Sequence, residues 1–223
     1  MKKIIAALFF AFMFTGISYG YEDVFVEEKP PVYTQEMLPD KIKTTTKSVD
    51  VPFDWFKITD EEKDKRINDI KNIIFSENSK IYLSKADFNN ELGKYKKDKN
   101  YKHHYMLANN GVTQDEDAKY NPFYYKNGTL VIYAIMYNND IHHALYYTPY
   151  GKLYYVDITS DEYPNFPYYS IQYDRKGNLK SSIYFVSRDM QYMFNSKQEF
   201  IGLWYKDKMY NKENKQISTR EGW

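Results

Sequence analysis

The residues best suited to chemistry are four histidines in two adjacent pairs, His103-His104 and His142-His143. Imidazole ligates zinc and copper, and it exchanges protons near neutral pH. Adjacent residues on a strand point to opposite faces, so neither pair could hold one ion from a single strand. A metal or hydrolase site therefore needs one His from each pair plus an acid. The candidates are His104, His142, Asp140 and Asp157. No recognised ligand spacing accompanies them. The chain has no Cys, which removes thiolate ligands, thiol nucleophiles and thiol redox exchange. The expectation is solvent-facing or partly packed histidines, with no metal and no cofactor. Asp157, Asp161 and Glu162 precede a Pro164–Pro167 loop, where a polar loop is the default reading. Serine-nucleophile, P-loop and Rossmann glycine patterns are absent.

Tyrosine is the second chemical signal. All but five of the 25 Tyr lie at or beyond Tyr101. They flank a recurring phrase: an aromatic, a polar turn, then an aliphatic. It reads Tyr125-Lys-Asn-Gly128-Thr-Leu130, then Tyr147-Thr-Pro-Tyr-Gly151-Lys-Leu153, then Tyr173-Asp-Arg-Lys-Gly177-Asn-Leu179. A looser copy is Phe194-Asn-Ser-Lys-Gln198-Glu-Phe200. Tyr has a flat apolar body and a polar tip, so it packs in a sheet and also suits sugar rings or protein surfaces. Sheet packing explains most of them. The residues expected to bind are those left on an uncovered face, one from each repeat: Tyr133, Tyr155, Tyr184 and Trp204.

The elements that must position these residues follow from period and punctuation. Thr59-Asp-Glu-Glu62 is a capping box, and Ile67, Ile70 and Ile74 make one apolar stripe, so a helix is predicted at about 60–75. A second helix is predicted from Ser84 to about Lys96, with Ala86, Phe88 and Leu92 inward. Phe53, Trp55 and Phe56 form an aromatic cluster that docks the preceding chain on the core. From Tyr101 the period becomes 2, with strands predicted near 102–108, 121–126, 129–137, 141–147, 152–158, 168–174, 178–186, 190–195 and 198–206. Asn127-Gly128 and Asp174-Arg-Lys-Gly177 carry hairpin-turn chemistry. Asn127-Gly128-Thr129 also matches a glycosylation acceptor, which the tight turn already explains. Consecutive hairpins pair with their sequence neighbours. The fold class is α+β: one or two N-terminal helices, then an antiparallel meander of about eight strands, as an open sheet or a closed barrel.

The ends and the charge bound the function. Lys2 and Lys3, the apolar run Ile4 to Ile17 and Ser18-Tyr19-Gly20 read as a Sec-type signal peptide over residues 1–20, cleaved after Gly20. Residues 21–50, with Pro30, Pro31 and Pro39, read as a flexible lead-in. The helical segment follows at 51–100, the hairpin region at 101–210 and a tail at 211–223. The formal charge is +1 for the chain, and −1 without Lys2 and Lys3. Such a balance gives no general drive toward nucleic acid. The lysines at 94–99 read as a solvated face. No transmembrane helix is expected.

Tyr173-Asp174-Arg-Lys-Gly177-Asn-Leu179 resembles the unit of YD-repeat (Rhs-type) proteins, and the looser phrases are similar to MORN-like β-hairpin repeats. The resemblance covers about residues 121–205. It implies hairpin arrays used as scaffolds or interaction surfaces, with no shared catalytic residue. The expected function is thus an exported, non-enzymatic binding or scaffold protein, periplasmic or extracellular, engaging a protein or cell-envelope glycan through an aromatic sheet face. The alternatives are a small-ligand carrier built on a closed barrel and a hydrolase or metal enzyme using His and Asp.

Overall fold

The computed structural model describes residues 53–125 and 127–220. The expected signal peptide and lead-in lie outside the described residues. Helix α1 (Asp60–Ile74) begins as its capping box dictates. The Glu62 amide donates to Thr59 Oγ1 at 3.2 Å, and the Thr59 amide donates to Glu62 Oε2 at 2.8 Å. Asp60, Glu61 and Glu62 in its first turn complement the helix dipole. Ile67, Ile70 and Ile74 are buried, each worth roughly 2 kcal/mol. Helix α2 (Lys85–Leu92) is capped by Ser84, and Phe88 and Leu92 turn inward. Ala86, expected inward, is exposed. Of the aromatic cluster, Trp55 is fully buried and Phe53 stacks on Tyr205 at 4.0 Å. Phe56 stays half exposed.

The segment expected to form a first strand near 102–108 is helix α3 (Tyr101–Asn109). Its buried residues, His104 and Ala108, are four apart and share one helical face. The helix begins at Asn100 without a side-chain cap, so its start carries no sequence signature. Tertiary contacts, described below, hold it.

Ten strands follow: β1 Ala118–Tyr124, β2 Leu130–Tyr137, β3 His143–Tyr147, β4 Leu153–Thr159, β5 Tyr168–Asp174, β6 Leu179–Phe185, β7 Met190–Asn195, β8 Phe200–Tyr205, β9 Lys208–Tyr210 and β10 Gln216–Thr219. They form one antiparallel sheet in sequence order, with β1 and β10 as its edges. The sheet is therefore an open meander and not a barrel. The stretch expected as a tail, 211–223, contributes β10.

Five hairpin turns lie at one end of the sheet and share one hydrogen-bond pattern. In each, the amide of the fourth residue donates to the carbonyl of the first: Gly128 to Tyr125, Gly151 to Thr148, Gly177 to Asp174, Gln198 to Asn195 and Asn214 to Asn211. Each fourth residue has positive φ, from 63° and 64° at Gln198 and Asn214 to 81° at Gly128. Every hairpin built on these turns carries a register shift. Glycine suits the left-handed conformation most (Gly151 and Gly177 also have side chains pressed against them), yet Gln198 and Asn214 adopt it too.

The helices cover one face of the sheet. Their core joins Trp55, Ile74 and Phe88 to Tyr133, Tyr147, Ile171, Tyr173, Tyr192 and Leu203. On the opposite face two smaller clusters form, one around Ile132, Ala144 and Tyr146 and one around Tyr168, Phe185 and Trp204. Between them lies a buried polar stripe of Asp157, Ser170, Gln172 and Ser181.

Candidate functional site

The four expected binding residues do not share a face. Tyr133 and Tyr184 lie on the helix side, while Tyr155 and Trp204 lie on the opposite side. Only Tyr184 is more than slightly exposed, so the uncovered aromatic row expected from them is corrected. Parity is the reason. Tyr133 and Tyr184 stand an odd number of residues past Gly128 and Gly177, whereas Tyr155 and Trp204 stand an even number past Gly151 and Gln198. Beyond the register shift in each hairpin, odd and even positions face opposite ways.

The histidines and acids expected to converge also separate. Asp157, 1 % exposed, accepts from Tyr146 Oη at 2.6 Å and from Gln172 Nε2 at 2.8 Å on the face away from the helices. His142 Nδ1 donates to the Thr159 carbonyl at 3.2 Å. Two Asp–His pairs form instead. His143 Nδ1 donates to Asp140 Oδ1 at 2.7 Å, and Tyr95 Oη donates to Asp140 Oδ2 at 2.9 Å. Burial pushes the Asp140 carboxyl up, but the His143 imidazole, the Tyr95 hydroxyl and the His142 amide outweigh it and hold it below its ordinary value. The second pair is buried: His104 Nδ1 and Tyr133 Oη both donate to Asp98 Oδ2 at 2.8 Å, and the Asn100 amide donates to Asp98 Oδ1 at 2.9 Å. Burial, then Asp98, drives the Tyr133 hydroxyl far above its ordinary range, so it keeps the proton that it donates to Asp98. Among the described residues, no group of three or more His, Cys, Asp or Glu is arranged to hold a metal ion.

The Asp98 network positions α3. His104 projects from the helix, Tyr133 from β2 and Asp98 from the segment before the helix. Tyr124 Oη adds a bond from β1 to the Ala108 carbonyl at 2.8 Å. On the solvent side, Gly151 packs against α3 so closely that an added Cβ would lie 2.4 Å from the Tyr101 Cβ. α3 is thus pinned to the sheet beside the first two positive-φ turns.

A groove of about 560 Å³ runs along this junction. Tyr101, Lys102 and Tyr105 of α3 form one wall; Thr129 and Leu130 after the first turn, with Pro149 and Tyr150 of the second, form the other. Tyr150 is 77 % exposed, the most exposed large aromatic among the described residues. Tyr101 and Tyr105 are partly exposed, Lys102 and Thr129 are exposed, and Leu130 is buried. The groove offers flat apolar surfaces with hydroxyl and ammonium groups at its rim. Sequence reading missed it because two of its tyrosines lie on a helix that was read as a strand. The signal available was the turn phrase itself, in which Tyr150 takes a solvent-facing position.

The chain matches no family model, no curated protein and no solved structure. No helix among the described residues is long and apolar enough to cross a membrane.

Proposed function

We propose that the protein is an exported, non-enzymatic binding protein that holds a glycan in the Tyr101–Tyr105–Tyr150 groove. The groove itself carries this reading. Three tyrosines, two on α3 and one on the second turn, line the groove, and Tyr150 is 77 % exposed. A sugar ring has apolar faces and hydroxyl edges, which tyrosine and Lys102 match in kind. The cleft is open to solvent and not an enclosed cavity. An open sheet likewise lacks the closed interior that a barrel carrier uses. The Lys2-Lys3 and Ile4–Ile17 pattern, ending at Ser18-Tyr19-Gly20, supports export to where envelope glycans are found. The YD-repeat and MORN-like resemblance supports an interaction role for the hairpin array.

The test is titration with a panel of oligosaccharides and cell-wall fragments, followed by tyrosine fluorescence. Tyr150→Ala should weaken the bound member by roughly fivefold, since an aromatic contact is worth about 1 kcal/mol. Its thermal stability should not change, because the side chain packs on little. Absence of any response across the panel removes the glycan reading.

A further inference from the structure

Three of the five positive-φ turns, with the segment before α3, put a row of cations beside the groove. Lys97 and Lys152 face each other in an isolated antiparallel bridge. The Asp98 amide donates to the Gly151 carbonyl at 2.8 Å, and the Leu153 amide to the Lys96 carbonyl at 3.1 Å. These bonds bracket the lysines and make them a non-hydrogen-bonded pair, the arrangement with the closest side chains. Both are exposed. Like charges held directly opposite destabilise a sheet pair, and an anion between them removes that penalty. Lys102 lines the groove on one side of this pair. Arg175 and Lys176 occupy the next turn, joined to β4 by the Arg175 amide donating to the Tyr154 carbonyl at 3.2 Å. Lys197 occupies the turn after that. All six side chains are exposed or at the rim, and none forms an ion pair among the described residues.

The opposite end of the sheet carries the other sign. Its connections hold Asp140, Asp161, Glu162, Asp189 and Asp207 against Arg188 and Lys206. The turn end also holds Asp174, Glu199 and Glu213, but with Lys212 and Lys215 its cations outnumber these acids, so the charge is graded along the strand direction. Successive turns at one end are two strands apart, about 10 Å, so the cations form a comb and not a single pocket.

We propose that the ligand of the groove is a linear anionic polysaccharide, stacked on Tyr101, Tyr105 and Tyr150 and followed by Lys97, Lys152, Arg175, Lys176 and Lys197 along the turn end of the sheet. This rests on the glycan reading above and adds its charge and its direction. A chain bearing carboxylate, sulfate or phosphate groups at regular spacing meets a regular row of cations. The tyrosines supply the ring contact that distinguishes sugar from a bare polyanion. A nucleic acid would want a broader basic surround than this comb provides.

The experiment uses the protein with dextran sulfate, polygalacturonate, neutral dextran and a single-stranded oligothymidylate of similar length. Binding is followed for the parent, Lys97→Gln with Lys152→Gln, Arg175→Gln with Lys176→Gln, and Tyr150→Ala. Circular dichroism confirms that each variant folds. Expected is binding of at least one anionic glycan that weakens about tenfold or more between roughly 0.05 and 0.5 M salt. Each charge-removing pair should weaken it about tenfold, and Tyr150→Ala should weaken it too. Neutral dextran bound as tightly, without salt dependence, overturns the charge assignment and leaves the glycan reading standing. Anionic binding that neither charge pair alters is adventitious and also overturns it. If the oligothymidylate binds more tightly through the same residues, the ligand class is wrong. If no carbohydrate binds, the glycan reading itself falls.

Discussion

Asp98 and Asp157 are both buried carboxyls, but they are held by different neighbours. Asp98 accepts from an imidazole, a phenol and an amide. Removing it leaves His104 Nδ1 and Tyr133 Oη without their acceptor inside the fold. Asp98→Ala should therefore cost about 3 kcal/mol or more by denaturant melting, and it should weaken ligand binding as α3 loosens. Asp157 has two neutral donors and no cation. Burial raises its carboxyl from the ordinary 3.8 to about 7, opposed by the hydrogen bonds from Tyr146 and Gln172. Between those values the folded chain holds a proton that the unfolded chain has released, so stability falls as pH rises through the window. Asp157→Asn cannot ionise. Its melting temperature relative to the parent should climb from pH 4 to pH 7, roughly the span between the two carboxyl values; a constant difference refutes a protonated Asp157. Of such residues the sequence shows the types but not the partners. His104 and Asp140 were visible as candidates, yet each pairs with a residue, Asp98 or His143, that spacing did not single out. Those pairings depend on how a helix and a strand end meet.

Turns and helices differed in how much of them was legible. The turns were clear because positive φ has few tolerant residues, and Gly128, Gly151 and Gly177 stand where it is needed. The Asn195-to-Gln198 and Asn211-to-Asn214 turns speak more softly, since Gln and Asn adopt the same conformation there without glycine. That is why the last strand, β10, lies in a stretch that reads as a tail. α1 was legible from its capping box. α3 was not, because it starts without a side-chain cap and its place depends on contacts with Asp98 and Gly151. The same contact ranks two substitutions. At Gly128 an added Cβ meets nothing within 4 Å, so Gly128→Ala should cost only the left-handed penalty, about 1–2 kcal/mol. At Gly151 it would lie 2.4 Å from the Tyr101 Cβ, so Gly151→Ala should cost clearly more. It should also lower affinity for the groove ligand by displacing Tyr101, while Gly128→Ala spares it. Equal losses in urea melts of the two would show that α3 does not depend on this approach.

At the scale of the molecule the sheet is nearly one-dimensional, since every strand pairs only with its sequence neighbours. In such an array an end unit can open without the rest. β9 has three residues and β10 is mostly exposed, so this end hairpin has little of its own to hold it. The N-terminal elements supply the missing hold. Trp55 Nε1 donates to the Asn211 carbonyl at 3.2 Å. Buried Lys63 Nζ, beneath the Trp55 ring, donates to the Lys212 carbonyl at 3.0 Å, and Lys212 reaches back to Asp64 at 2.6 Å. All three bonds fall on the single turn between β9 and β10. The opposite end of the array is closed by α3 through Tyr124 and His104, so each end has its own helical clasp. Removing the α1 clasp with Lys63→Met and Asp64→Asn, while leaving Trp55 in its packing, should release that hairpin alone. Amide exchange across 208–219 should accelerate by about tenfold or more, the effect of losing a bond to a charged group worth ~1.5–3 kcal/mol. Protection in β4, β5 and β6 should not change, because their pairing and the Phe88–Tyr173 contact remain. A uniform rise over all strands would mean that the sheet opens as one cooperative body, and that the clasp stabilises the whole array and not its last repeat.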